Sequence, residues 1–475
     1  MALLLLSANL KAQLHHRYIF VDDSIIQKTY QVTRVVHHPE KCSQNPLLIA
    51  DKPWEGGINL YGTVLYDNGK FRMWYQVYNG KAKDRSFNTL IAYAESEDGI
   101  HWTKPDLGLV EFEGNKNNNI LITCRGTSSL YSPAVVKDPK PENPEKTYKM
   151  IYWDSMSKKE LEKYGPNFPP GKNVPGWRAI PGEGFFTAYS PDGIHWKQYG
   201  HQPVFTCACD ASSLNYFSDG TFVVFHKISV AEDRHFRILG QTTSKDFVNW
   251  SKPSIILEPD WHDPYGTEFY GMSGFEYYGN YLGLVWIYNN APADKSMNIQ
   301  MAASKDGKNW HRAADRKIFL DRGEPGDWDG GSIVVSSNPL ISPPGYPDKI
   351  LIYYGGGTTT HDDSRYREWG IGLATLRIDG FVSMRSGMFN GKLKTKPIIA
   401  TGSKMFCNCD IKHGYIKIEL LDENGKSIAM SKDITTSGTR KIVQWEKSPK
   451  VDIAGKKITI VFYMKKSDLY SFWFE

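Results

Sequence analysis

The sequence predicts an all-β protein: a five-bladed β-propeller followed by a C-terminal β-sandwich. Three observations carry that expectation. A Ser-x-Asp…Trp phrase recurs four times, as "SEDGIHW", "SPDGIHW", "SKDFVNW" and "SKDGKNW", ending at Trp102, Trp196, Trp250 and Trp310. Each phrase follows apolar runs such as "FRMWYQVY" and "TLIAYAES", so the chain repeats a unit of several strands, the signature of propeller blades. Beyond residue 388 the texture changes to long alternating strands joined by an "ENG" turn, as in a sandwich.

Taken in order, residues 1–12 form a short apolar run before a small-residue site, read as the remnant of a signal peptide; a buried strand is the alternative. The propeller is expected over 13–388. Its first unit begins "EGGINLYGTVLYDNGKFRMWYQ". The second begins "YSPAVVKDP" and carries a Pro/Gly-rich insertion, "KYGPNFPPGKNVPGWRAIPGEG", of the kind that shapes a binding mouth. The third begins "CDASSLNYF", the fourth "GTEFYGMSGF" and the fifth "GDWDGGSIVV", which ends in a degenerate phrase, "GLATLRIDGFVSM". A six-bladed, sialidase-like propeller is the competitor, but no sixth unit precedes residue 385. The sandwich, 389–475, ends in "DLYSFWFE", read as a buried capping strand. In the repeated phrase, Ser and Asp can bond their own backbone two residues on, and Gly tolerates positive φ. The phrase is therefore expected to hold the fold and to do no chemistry.

Composition narrows the function. A formal charge of +5 over 475 residues, without a basic stripe, speaks against nucleic acid, and no run reaches the length of a membrane span. With the leader, this places the protein in the periplasm or outside the cell. Aromatic residues make up 13% of the chain, enough for β-cores and for faces that stack on sugar rings. Cys42 and Cys124 are open to pairing in an exported protein, whereas the Cys-x-Cys pairs Cys207/Cys209 and Cys407/Cys409 lack zinc spacing and read as buried thiols. No metal motif and no nucleotide cradle appears. No cofactor is required, and a structural calcium would leave no mark on the sequence.

The stretches "YGTVLYDNGKFRMWYQ", "GTEFYGMSGF", "GDWDGG" and "LYSFWFE" give the whole chain a resemblance to the five-bladed propeller glycosidases of families 32 and 43, most of all to family 32-like bacterial proteins. The resemblance implies three carboxylates at the starts of the innermost strands of the first three blades. Here the expected nucleophile falls on Asn59 and the stabiliser on Ser132; the acid blade offers Asp210, and a fourth-blade element matches at Glu268.

Glycoside hydrolysis needs one protonated carboxyl and one carboxylate across the scissile bond. Acids at the predicted inner-strand starts are Glu55, Asp210, Glu268 and Asp329, with Asp210 and Glu268 the leading pair and Asp327 able to share the role of Asp329. Trp54, Asn59, Trp261, His262, Tyr265, Tyr270, Trp328 and His361 are the expected sugar contacts, and Arg237 and His226 are placed to face the funnel. Two readings follow. One is an exported glycosidase cleaving plant or algal oligosaccharides from the non-reducing end. The other is a carbohydrate-binding propeller that kept the fold and lost the acids, as Asn59 and Ser132 suggest.

Overall fold

The computed structural model describes residues 16–80, 82–125, 130–164, 182–206, 210–231, 235–363, 369–447 and 451–475. Residues 1–12, expected to be a signal-peptide remnant, most of the Pro/Gly-rich insertion, and Cys207 and Cys209 lie outside these residues. The described residues are all-β and divide into two compact units: one within 38–275 and 281–378, the other within 16–37, 276–280 and 379–475. Among the described residues no helix is long and apolar enough to cross a membrane.

In the larger unit, consecutive strands pair antiparallel. Gly57–Asp67, Lys70–Tyr78, Thr89–Ser96 and Ile120–Thr123 make a four-stranded sheet. Tyr131–Lys137 to Lys197–Gln198 make a second, and Ser212–Tyr216 to Ser254–Leu257 a third. A ten-stranded sheet follows. One part runs Thr267–Tyr277, Asn280–Asn289, Met297–Ser304; the other runs Ser332–Val335, Lys349–Gly357, Trp369–Arg377 and, from the N-terminal side, Glu40–Lys41. A single parallel pair, Met297 with Ser332, joins the parts.

Strands buried on both faces read as nearly continuous apolar runs, with alternate side chains entering different cores. In "KFRMWYQVY", Phe71, Met73, Tyr75 and Val77 pack with Leu351, Tyr353, Ile371 and Leu373 of the last strands. Trp74, on the other face, packs with Tyr148, Met150 and Phe186 of the second sheet. Further cores join the second sheet to the third and the third to the strands after Thr267. Successive sheets thus share cores, and the last strands share one with the first.

The four Ser-x-Asp turns are built alike. Ser96 Oγ accepts from Gly99 N at 2.9 Å, and Asp98 Oδ1 from Ile100 N and His101 N at 2.9 and 2.8 Å. The same bonds recur at Ser190/Asp192, Ser244/Asp246 and Ser304/Asp306. The residue after the Asp has positive φ, 79° at Gly99 and 64° at Phe247. A neighbouring sheet then grips the turn: Tyr353 OH donates to Gly99 O, Trp74 Nε1 to Gly193 O, and Gln241 Nε2 to Gly307 O.

The smaller unit centres on the 18-residue strand Lys457–Phe474, which pairs with Met405–Leu421, Val382–Ser386 and Gly391–Thr395. Residues 18–36 and 379–388, expected in the propeller, pair here instead: Tyr18 with Phe472, and Val32–Val36 with Val382–Ser386. The degenerate fifth phrase makes no Ser-x-Asp turn. Its Asp379 is a buried hub, accepting from Arg17 at 2.6 Å, Tyr277 at 2.6 Å, Asn408 at 3.0 Å and Ser471 at 2.6 Å.

The cysteines need one correction. Cys42 and Cys124 lie in different cores, Cys42 in that of Leu48 and Cys124 in that of Leu130, so no bridge joins them. Cys407 and Cys409 are buried thiols, as expected.

Candidate active site

Each of the four candidate acids meets a cation, and the pairings differ in what they leave open. Glu55 accepts from Lys104 and, at 2.7 Å, from the Tyr75 hydroxyl; its side chain has no exposure. Asp329 accepts from Lys41 at 2.7 Å and Tyr354 at 2.9 Å and is 3% exposed. Glu268 is held by Arg237 at 2.7 Å and by Asn290, at 6% exposure. Asp210 pairs with Lys227 yet keeps a third of its side chain in solvent. Of the four, Asp210 has the most exposed side chain.

Asp210 and Glu268 belong to one charged cluster, assembled from the third sheet and the strands after it. Lys227, on Phe222–Ala231, is nearly buried; its ammonium sits 4.1 Å from the centre of the Tyr270 ring. Arg237, on the next strand, lies 5.4 Å from the same ring and 5.0 Å from that of Tyr288. Tyr270 therefore carries a cation for each carboxylate, an arrangement favoured by the ring quadrupole. Burial alone would push the Asp210 carboxyl up, but Lys227 outweighs it and holds the group below the usual carboxylate range. Burial and the charge of Arg237 lower Lys227 against the pull of Asp210.

The loop after Lys349–Gly357 adds His361 and Asp362. His361 Nδ1 meets Asp362 Oδ1 at 2.7 Å, and Nε2 meets the Tyr270 hydroxyl at 2.9 Å. Asp362 is also held by Tyr288 at 3.1 Å and Lys295 at 3.4 Å. Burial lowers His361, with Lys227 and Arg237 adding to the effect and Asp362 and Asp210 opposing it. Burial pushes the Tyr270 hydroxyl far above its ordinary range, so it stays protonated.

The remaining expected contacts scatter. Trp54 is buried, its indole N–H bonded to Asn119 at 2.9 Å. Asn59 is buried on Gly57–Asp67, and among the described residues its Oδ1 has no hydrogen-bond partner. Trp261 and Tyr265 are 86% and 77% exposed, and the His262 ring lies against Trp261. Trp328 lies over Gly356, Gly370 and Gly372, at positions where a Cβ would meet its ring, and with Trp369 it walls a cavity of about 320 Å³ beside Glu55. Asp327 accepts from Glu324 N within a turn. His226 does not face the funnel as expected: it is wholly buried, bonded to Thr242, and driven down to about 4 by desolvation. Ser132 has positive φ (54°) and bonds through Oγ to the Asp210 carbonyl, so it fixes the backbone that presents Asp210.

Sequence reasoning missed Lys227, Asn290, Lys295 and Asp362. A lysine inside the apolar run "FVVFHKISV" was the available signal, because a buried lysine needs an anion. It also missed Asp154, whose carboxyl burial raises to about 7 against the pull of Arg125; the residue is fully buried and cannot touch substrate. Among the described residues no group of His, Cys, Asp and Glu is placed to hold a metal.

No family model matches the sequence. Two uncharacterized proteins from strains of Mycobacterium tuberculosis are 26% identical over 163 residues, 34% of this chain and 40% of their own length. The match thus spans less than half of those relatives. Similar solved structures include a family 43 arabinoxylan arabinofuranohydrolase from Bacillus subtilis in complex with cellotetraose (13% identity, TM-score 0.43, covering 91% of this chain and 97% of that one). A glycosyl hydrolase from Bacteroides ovatus is similar at 13% identity and TM-score 0.46, covering 72% and 94%. So is an N-acetylgalactosamine deacetylase from F. plautii in complex with blood group B trisaccharide, at 13% identity and TM-score 0.46, covering 74% and 97%. Several of the similar structures are glycoside hydrolases, the group to which the sequence bears its resemblance.

Proposed function

We propose that this protein is an exported glycoside hydrolase acting on plant or algal oligosaccharides from the non-reducing end. In this reading the sheets of the larger unit are five propeller blades, and the smaller unit is the β-sandwich. Two features support the blades: cores shared between successive sheets, and Tyr353 of the last strands gripping the first Ser-x-Asp turn. The function rests on one observation: Asp210 alone among the four inner-strand acids is a third exposed, while Lys227 keeps it charged. It is suited to attack the anomeric carbon, or to take the proton of an attacking water. Glu268, buried against Arg237, orients that cation over Tyr270. Trp261 and Tyr265 are exposed aromatic side chains on which sugar rings can stack.

A second reading, carbohydrate binding without hydrolysis, is favoured by the pairing of every candidate acid with a cation, together with Asn59 and Ser132 at two expected acid positions. Monosaccharide release from a panel of plant and algal oligosaccharides separates the two. Hydrolysis by the wild type, reduced about 10³-fold in Asp210→Asn with folding intact, is the expected result. Saturable binding with no release anywhere on the panel favours the binder.

A further inference from the structure

A carboxylate that attacks is half of a glycosidase; the leaving oxygen also needs a proton. The inner-strand acids are poorly placed to give one. Glu55, Glu268 and Asp329 are enclosed and faced by cations, and Asp210 is held charged. Asp154 holds a proton more readily, but it has no exposed surface. Asp362 is half exposed, but although burial opposes its ionisation, its bonds to His361 and Tyr288 hold it below the usual carboxylate range, and the His361 side chain beside it is 24% exposed.

Its surroundings are those of an oriented acid. Asp362 fixes Nδ1 at 2.7 Å, and Tyr288 and Lys295 fix Asp362 in turn. The backbone N–H of His361 bonds to Lys295 O at 3.0 Å, so the ring is held at both its root and its edge. Nε2 is the other end of this chain, and its partner is the Tyr270 hydroxyl, 2.9 Å away. An Asp that orients Nδ1 stabilises an imidazolium and presents Nε2 for proton transfer.

We infer that His361 is the general acid of the site, with Asp362 and Tyr270 as its positioning residues, an assignment that rests on the hydrolase reading above. Asp210 bonds to the anomeric carbon as the bond to the leaving oxygen breaks; the electron pair stays on that oxygen, which takes the proton from His361 Nε2. Water then displaces the Asp210 carboxylate from the anomeric carbon and its proton returns to Nε2, so the cycle balances as hydrolysis. The groups facing His361 are Asp362 beside it, Tyr270 and Tyr288 from the two strands after Thr267, Lys227 and Arg237 from the third sheet, and Asp210. Burial and the two cations favour loss of its proton, so the rate should fall as pH rises through a value below the ordinary imidazole range.

The test compares phenyl and dinitrophenyl glycosides of arabinofuranose, xylose, galactose and mannose, because a dinitrophenolate leaves without a proton. His361→Gln should lower turnover of the phenyl glycoside about 10²–10⁴-fold, and that of the dinitrophenyl glycoside by less than about tenfold. Asp362→Asn removes the charge that favours the imidazolium, so the alkaline limb of kcat should move to lower pH. Nitrogen-15 NMR of the His361 ring reads the same shift without turnover, and in wild type at neutral pH should find the proton on Nδ1. Equal losses on both glycosides in an active enzyme, an unmoved alkaline limb, or a neutral ring with its proton on Nε2 and none on Nδ1 overturn the assignment alone. A wild type inactive on both glycosides, and on the oligosaccharide panel, overturns the hydrolase reading and this assignment with it.

Discussion

Two sets of aspartates in this molecule are satisfied in opposite ways. In the Ser-x-Asp turns the carboxylate accepts from backbone N–H groups two and three residues ahead, so a seven-residue phrase contains both donor and acceptor. At Asp210 the carboxylate is neutralised by Lys227 from the next strand, and its backbone is fixed by Ser132, 78 residues away. The first arrangement is rigid and repeated. The second keeps a third of the side chain in solvent and depends on three strands arriving together. A carboxylate closed by its own neighbours holds a fold; one closed from a distance on one side is left with a face for chemistry.

The comparison can be broken first at Lys227. Asp210 must be charged to act, so its activity is present above its pKa and lost below. Removing the cation leaves burial to push that pKa upward. Lys227→Met should therefore move the acid limb of kcat/KM to higher pH by about one unit or more. A pH–rate profile checks this, and an unmoved limb would mean that Lys227 serves packing alone.

At the turns the expected effect is on stability. Gly99 combines φ of 79° with a Cβ site 2.5 Å from the Tyr353 hydroxyl, so Gly99→Ala should cost about 1–3 kcal/mol, measured by urea denaturation, with the pH profile unchanged. Asp246 sharpens the contrast at the smallest scale. Burial opposes its ionisation, but the Asn249 and Val248 N–H groups hold it at about 2. Its contribution is therefore complete above the ordinary aspartate range and lost as pH falls through about 2. Asp246→Asn should flatten the fall of Tm on acidification; an identical fall in variant and wild type would assign acid lability elsewhere.

The same contrast explains what could be read before the structure was known. The four turns, the all-β class and the strand runs were legible because each signal lies within a few residues: Ser, Asp and Trp at fixed spacing, or apolar residues continuous along a strand. Asp379 misled for the same reason. Its phrase is a degenerate copy of the repeat, yet its partners Arg17, Tyr277, Asn408 and Ser471 come from four distant segments. Asp210 and Glu268 are legible as a pair of inner-strand acids, and Tyr270 and His361 singly. That Tyr270 and His361 join the two acids was not legible, nor were Lys227, Asn290 and Asp362, because ion pairs between strands leave no spacing in the chain. Trp54 and His226 were named for a chemistry that burial denies them.

The sequence by itself determined the repeat, the turns and the residue types available for sugar chemistry, since these follow from local hydrogen bonding and strand patterning. The tertiary structure decided which acid keeps a face to solvent. Glu55, Asp210, Glu268 and Asp329 are alike as sequence positions, and they differ in the lysine or arginine that long-range strand pairing brings to each and in how completely it closes them off from water.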